Sequence, residues 1–80
     1  MNEIIVNVLK ENVHFGLNYY IAIATTDKGD ILSTHTSSSL DWAKKDIIRK
    51  SHLERYNKHF PNGYCVKFDG EIIYNSSKII

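Results

Sequence analysis

The chain has 80 residues, a formal net charge of +1 and a hydrophobic content of 42%. These values are typical of a single folded domain, residues 1–80, and argue against a disordered tail. They also exclude a membrane span, because the longest apolar runs are only a few residues, against the roughly 20 that a spanning helix needs.

Cysteine usage and the N-terminal sequence favour a cytoplasmic protein. Cys65 is the only cysteine, so an internal disulfide cannot form, and we interpret it as a small core residue. Residues 1–3 lack the basic region and apolar stretch of a secretory signal. We therefore expect a protein of the cytoplasm that makes no membrane contact.

Three strands are predicted in the first half of the chain. Residues 4–9 are rich in β-branched side chains. Residues 19–26 alternate large and small side chains, so one face of that strand carries bulk and the other carries small groups. After turn residues at 27–30, a more polar strand is predicted over 31–36, and the short connections indicate an antiparallel meander.

A helix is predicted over residues 40–59, which contain neither Gly nor Pro. Ser38 and Asp41 have the spacing of an N-terminal capping box, and Pro61 with Gly63 ends the segment.

A hairpin closes the chain. Asp69 and Gly70 separate two apolar segments, 64–68 and 71–75, which is the pattern of a type I′ turn. Residues 76–80 extend the sheet or fray. The expected fold is α+β and two-layered, with an antiparallel sheet of β-β-β-α-β-β order packed on one helix.

The predicted helix has apolar residues on two opposite sides. One stripe, suited to lie on the sheet, contains Leu40, Ala43, Ile47 and Ser51. The second stripe contains Trp42, Asp46, Arg49, Leu53, Tyr56 and Phe60. A single sheet covers one side only, which leaves three alternatives for the second stripe. The helix breaks near residues 51–52 and turns the stripe inward, the loops and the tail at Ile79 and Ile80 cover Trp42, or the stripe is exposed and binds a partner.

The exposed alternative predicts a protein-binding surface, because Trp, Tyr and Arg dominate the energetics of protein interfaces. The predicted partner-binding residues are Trp42, Lys45, Arg49, Leu53, Arg55 and Tyr56. The partner is either a different macromolecule or a second copy of the chain, which would make a homodimer.

A nucleic-acid-binding module is the alternative function. Six of the ten basic residues lie within 40–59, where the net charge is +3. The residues that would contact phosphates are Lys44, Lys45, Arg49, Lys50 and Lys58. Binding of this kind is expected to be weak, because a pI of 7.9 is low for such a domain and no known nucleic-acid-binding motif is present.

No enzyme, metal site or cofactor is predicted. His52 and His59 are seven residues apart, whereas a chelating pair on a helix is spaced by three or four. Cys65 with a histidine would lack a third catalytic group. The four glycines are isolated, so they form no phosphate-binding loop.

In its length, its strand meander, its single capped helix and its Asp69-Gly70 hairpin, the chain resembles small inhibitor proteins of phages and mobile elements. Anti-CRISPR proteins are the best-known group. The resemblance covers the architecture of the whole chain, rests on no motif and carries over no functional residue. It implies a protein that evades host defence by binding a CRISPR effector or another bacterial nuclease complex and blocking it stoichiometrically. Many members are acidic mimics of nucleic acid, whereas this helix is basic, so here the resemblance implies docking on a protein surface.

Overall fold

The structure, a computed structural model, describes residues 2–12 and 18–76. Its elements in chain order are β1 (Asn2–Asn12), β2 (Asn18–Thr26), β3 (Ile31–Ser37), α1 (Leu40–Asp46), α2 (Lys50–His59), β4 (Tyr64–Phe68) and β5 (Glu71–Asn75). The predicted α+β class is confirmed. The prediction of one helix is wrong, because two short helices occupy the predicted helical segment.

The five strands form one mixed sheet in the order β3-β2-β1-β4-β5. All neighbours are antiparallel except β1 and β4, which run parallel from Asn2 opposite Tyr64 to Val6 opposite Phe68. The expectation of an antiparallel sheet is therefore wrong for this pair. The two helices carry the chain from β3, at one edge, across to the far side of β1, so β4 enters in the direction of β1.

Both helices pack on one face of the sheet. The small side chains of Ala22 and Ala24 on β2 are fully buried there, beneath Ala43 and Ile47 of the helical layer. Their small size lets the helix approach the strand closely. The bulkier face of β2, with Ile21 and Ile23, lies on the opposite side and is only half-buried. The core on the helix side consists of Ile4, Val6, Ala22, Ala24, Ala43, Ile47, Tyr56, Tyr64 and Val66.

The helical layer is interrupted at residues 47–49. Ile47 ends α1 with its N–H donated to the carbonyl of Ala43, and Arg49 is extended, with φ of −66° and ψ of 160°. Arg49 serves as the N-cap of α2 without a side-chain capping bond. The break lies slightly before residues 51–52, where one of the three alternatives placed it. Because the helix does not continue through residues 47–49, α2 buries a different side from the one that an unbroken helix would bury.

Two local signals have different outcomes. The hairpin at Asp69 and Gly70 is confirmed, with φ values of 52° and 81° as the type I′ turn requires. The cap of α1 is Ser39 rather than Ser38, since the Oγ of Ser39 accepts from the N–H of Trp42 at 3.2 Å. Adjacent serines offer the same chemistry, and the backbone path decides which one caps.

Some predictions fall outside the described residues. The tail containing Ile79 and Ile80, a predicted alternative cover for Trp42, is outside them, and so are the first two residues of the Gly16-Leu17-Asn18 segment, whose composition favours a turn, whereas Asn18 begins β2. Among the residues that are described, neither helix has the length and apolar character needed to cross a bilayer.

Candidate functional site

Trp42 is the most exposed aromatic feature of the helical layer. Its indole keeps 52% of its surface accessible, although the residue belongs to the first turn of a well-capped helix. The ammonium of Lys45, three residues on, lies 5.3 Å from the centre of the indole ring. This cation–π contact holds the ring on the outside of α1. We call Trp42, Lys45 and Arg49 the Trp42 surface.

Arg49, the third residue of this surface, forms an ion pair within its own segment. Its Nε lies 2.8 Å from Oδ1 of Asp46, and 60% of the arginine side chain is exposed. No hydrogen bond reaches that Oδ1 from the described residues, so the attraction is between the two charges. The pair fixes the Nε side of the guanidinium on Asp46 while most of the side chain stays exposed.

Tyr56 does not belong to an exposed surface. It is 0% exposed, its hydroxyl donates to the carbonyl of Ile47 at 2.8 Å, and its ring meets Tyr64 edge-on at 5.9 Å. The expectation that it contacts a partner is wrong, because the break between the helices turns this residue into the core. Leu53 is half-buried against the same core.

The remaining predicted residues are dispersed. Lys44 lies on a different side of α1 from Lys45, because its ammonium sits 5.2 Å above the ring of Phe68. Arg55, Lys50 and Lys58 are exposed on α2. The proposed phosphate-binding set is thus divided between two helices and between two sides of α1, where both lysines already contact aromatic rings.

An apolar groove lies on the helix side of the sheet, next to the start of α1. It has a volume of about 450 Å³ and is lined by Val6, Asn7, Val8, Lys10, Tyr20, Leu40, Phe68 and Asp69. Leu40 is 43% exposed at its margin. Trp42 is two residues further along α1 and therefore projects from the other side of the helix. The groove and the Trp42 surface are separate.

A buried polar network connects β3 with both helices. The Oγ of Ser33 is hydrogen-bonded to Nδ1 of His52, and Nε2 of His52 lies 2.8 Å from Nδ1 of His35. The outer nitrogen of His35 is 3.5 Å from Oδ2 of Asp46. Ser37 donates to the same carboxylate oxygen at 2.7 Å. Four side chains thus form a continuous chain from a serine hydroxyl to a carboxylate.

The carboxylate sets the direction of this chain. An ionised Asp46 only accepts, so the proton of neutral His35 lies on the nitrogen that faces it. His35 then accepts from Nε2–H of His52, and His52 accepts from the hydroxyl of Ser33. Both nitrogens of His52 and Nδ1 of His35 are hydrogen-bonded when the two imidazoles are neutral, and Nε2 of His35 faces the carboxylate. An added proton would reverse at least one of these bonds.

The pKa values agree with that arrangement. The hydrogen bond from Ser37, reinforced by the charge of Arg49, holds the pKa of Asp46 below its ordinary value. Burial lowers the pKa of His52, and its neighbours His35 and Arg55 lower it further. These shifts favour an ionised Asp46 and a neutral His52.

The order serine–histidine–histidine–carboxylate has the hydrogen-bond direction of a nucleophile relay. Ser33, however, is only 3% exposed, so its hydroxyl is closed to a substrate. The network instead ties β3 to α1 and α2. Within residues 2–12 and 18–76, no group of three or more His, Cys, Asp or Glu side chains is arranged to hold a metal ion.

This network was not predicted from the sequence, although a signal for it is present there. Ser33, His35 and Ser37 occupy alternate positions of β3 and so share one face of the strand. That spacing shows a polar face, but it does not reveal that His52 and Asp46 are brought to it from two different helices.

Comparisons with known proteins add no relative. No protein-family model matches the chain, no curated protein sequence is significantly similar to it, and no solved structure matches it significantly.

Proposed function

We propose that this protein acts without catalysis, by binding another protein through the Trp42 surface. The observation that carries the proposal is the half-exposed indole of Trp42. Exposed tryptophans are costly to hydrate and are enriched at the centres of protein interfaces, where their large ring fills a pocket. A capped helix that presents such a ring is a rigid platform for docking.

The charges around the indole support the same function. Lys45 contacts the ring and Arg49 is oriented by Asp46, so both cations are held in place before a partner arrives. Such preorganisation reduces the entropy lost on binding. A partner with carboxylates around an apolar pocket would complement this surface, because a guanidinium recognises a carboxylate in a planar, bidentate manner.

The finer proposal is inhibition of a nuclease complex, as the resemblance to anti-CRISPR proteins implies. Docking on a protein surface requires no acidic mimicry of nucleic acid, which is consistent with the net charge of +1. The proposed contact residues are Trp42, Lys45 and Arg49, together with Arg55, which is exposed on α2. Tyr56 is removed from the set because it is buried.

The binding test places a benzophenone amino acid at Asp41, an exposed position next to Trp42, and, as a matched control, at the exposed position of Lys58 on α2. A protein that is cross-linked from position 41 but not from position 58 is then purified. The Kd of its complex is measured with the original chain and with Trp42→Ala. We expect the substitution to weaken binding about 30-fold or more, which corresponds to a hot spot of about 2 kcal/mol. Equal affinities would contradict the proposal.

The inhibition test adds the purified chain to CRISPR effector complexes and measures cleavage of a DNA target. Inhibition should saturate at a one-to-one ratio and should be lost with Trp42→Ala. Binding to the target DNA itself, with an affinity that falls steeply with salt, would favour the nucleic-acid alternative instead. A flat dependence on salt concentration would contradict that alternative.

A further inference from the structure

The central strand β1 has an edge that the sheet leaves open. It spans eleven residues, Asn2–Asn12, and β2 pairs with it from Ile4, opposite Thr26, to Asn12, opposite Asn18. On its other side, β4 pairs only as far as Val6 opposite Phe68. Among the described residues, no strand continues that pairing along residues 7–12. In this segment the backbone groups that point away from β2 face the open edge.

The apolar groove lies directly against this edge. Val6, Val8 and Lys10 of β1 line it, together with Leu40 above and Phe68 at the end of β4. Any open sheet has two outer edges, but this edge differs because an apolar cavity of about 450 Å³ adjoins it. A strand placed here would continue the line of β4, and every second side chain would enter the groove.

We propose that the β1 edge at residues 7–12 binds an extended segment of a partner protein as an added strand, with an apolar side chain in the groove. Strand addition of this kind derives its affinity from main-chain hydrogen bonds and its specificity from alternate side-chain pockets. The open edge is about 20 Å long, which suits about six residues. This site is separate from the Trp42 surface and does not depend on it.

Charge defines the partner segment further. The groove side carries Lys10 next to the edge and Lys44 above Phe68, whereas its one acidic lining residue, Asp69, lies at the turn beyond β4. The residue of the added strand that stands opposite Val8 is therefore apolar, and the next one on the same face, opposite Lys10, is acidic. An acidic side chain there would be attracted by Lys10.

The occupant is a partner segment rather than a second copy. In a continuous sheet made by two copies of β1, directly opposed residues must share a face, and only Leu9 opposite Leu9 or Lys10 opposite Lys10 then forms five residue pairs within the open segment 7–12. With Leu9 opposite Leu9, the basic Lys10 lies opposite Val8, where the groove favours an apolar side chain. With Lys10 opposite Lys10, two like charges face each other. Neither register meets both requirements of the groove.

The test is a titration of the ¹⁵N-labelled full chain with capped hexapeptides, followed by amide chemical shifts. The probes are Thr-Leu-Val-Glu-Val-Thr and its reverse, Thr-Val-Glu-Val-Leu-Thr, which cover parallel and antiparallel addition. We expect shifts at residues 7–12 and around the groove for one of the two orders. N-methylation of the amides that face β1 should weaken binding about tenfold or more, whereas methylation of the alternate amides should leave it unchanged.

Variants of the chain sharpen the result. Lys10→Glu should weaken binding of the acidic peptide and favour a version with Lys in place of Glu. The matched control Lys28→Glu, in the exposed turn between β2 and β3, should have no effect. Trp42→Ala should also have none, so failure at the Trp42 surface and failure at this edge are distinguishable.

Three results would overturn the inference. One is the absence of shifts at residues 7–12 up to roughly 5 mM of either peptide, where even a millimolar Kd is detected. Another is equal binding of both methylated peptides, which would mean docking in the groove without strand pairing. The third is concentration-dependent shifts of the same amides without peptide, which would assign the edge to a second copy of the chain.

Discussion

Trp42 and Tyr56 belong to the same apolar stripe of the sequence but have opposite surroundings in the structure. Trp42 in α1 is half-exposed, and Tyr56 in α2 is fully buried. They are fourteen residues apart, so an unbroken helix would place them on nearly the same side. The break at residues 47–49 separates them, and it shows that an amphipathic pattern identifies a stripe without fixing which part of it faces the core.

The buried half of the stripe has partners that the exposed half lacks. Tyr56 uses its ring against Tyr64 and its hydroxyl on the carbonyl of Ile47, at the point where the first helix ends. Tyr64 in turn donates to Asn57, and burial, with some contribution from Tyr74, raises the pKa of Tyr64 to about 12. The aromatic ring that ends up inside thus also stabilises the break that placed it there.

The largest effect is expected from removing the buried ring. Tyr56→Ala should lower the free energy of unfolding by about 3–5 kcal/mol, because it opens a cavity beneath both helices. Tyr56→Phe keeps the ring and loses only the hydrogen bond to Ile47, so a loss of about 1–2 kcal/mol is expected. Urea denaturation measures both values. Equal and small losses would mean that the ring is not packed as described.

Acidification is expected to lower the free energy of unfolding by less than Tyr56→Ala does, because mainly one proton, that of His52, is involved. The pKa of folded His52 lies below the unfolded value of 6.5, so the unfolded chain binds more protons in the interval between the two. The stability gained by keeping this imidazole neutral is present above about pH 6.5 and is lost as the pH falls through the folded pKa. The urea midpoint should therefore decrease from pH 7.5 to pH 5.

Two variants test whether His52 causes this decrease. His52→Leu should flatten the dependence on pH, whatever its effect on stability at neutral pH. His59→Leu is the matched control on the same helix, where the imidazole is exposed beside Phe60, and it should keep the original slope. A slope that survives in His52→Leu would place the responsible proton elsewhere.

The cap of α1 is expected to contribute about 1 kcal/mol. Ser39→Ala removes the acceptor of the Trp42 N–H and should lower the unfolding free energy by that amount. Ser38→Ala, one residue earlier, should change it by less than about 0.5 kcal/mol. Thermal unfolding of the pair decides between the two serines, and a reversed order would restore the cap expected from the sequence.

The smallest effect on stability is expected at the exposed half of the stripe. Trp42→Ala should change the unfolding free energy by no more than about 0.5 kcal/mol, apart from the loss of its contact with Lys45. The far-ultraviolet circular dichroism should be unchanged. A loss comparable with that of Tyr56→Ala would show that the indole stabilises the fold, and the case for a docking surface would weaken accordingly.

The local elements were well predicted because their signals are local. The strands at 19–26 and 31–36 and the hairpin around Asp69 and Gly70 follow from side-chain alternation and from the φ values that a tight turn requires. The break at Arg49 was not predicted at its position, since no Gly or Pro marks it. The partner-binding residues were predicted from one continuous helix, which is why Tyr56 was misplaced.

The amino-acid sequence by itself determined the type and approximate limits of the strands, the closing turn and the existence of two apolar stripes, because these depend on neighbouring residues. Only the tertiary structure decided that β4 lies parallel to β1, that Tyr56 is buried while Trp42 is exposed, and that Ser33, His52, His35 and Asp46 meet. Each of these depends on contacts between segments far apart in the chain. The free energy of these contacts depends on how the two helices cross the sheet. A single sequence carries no local signal for the direction in which they cross it.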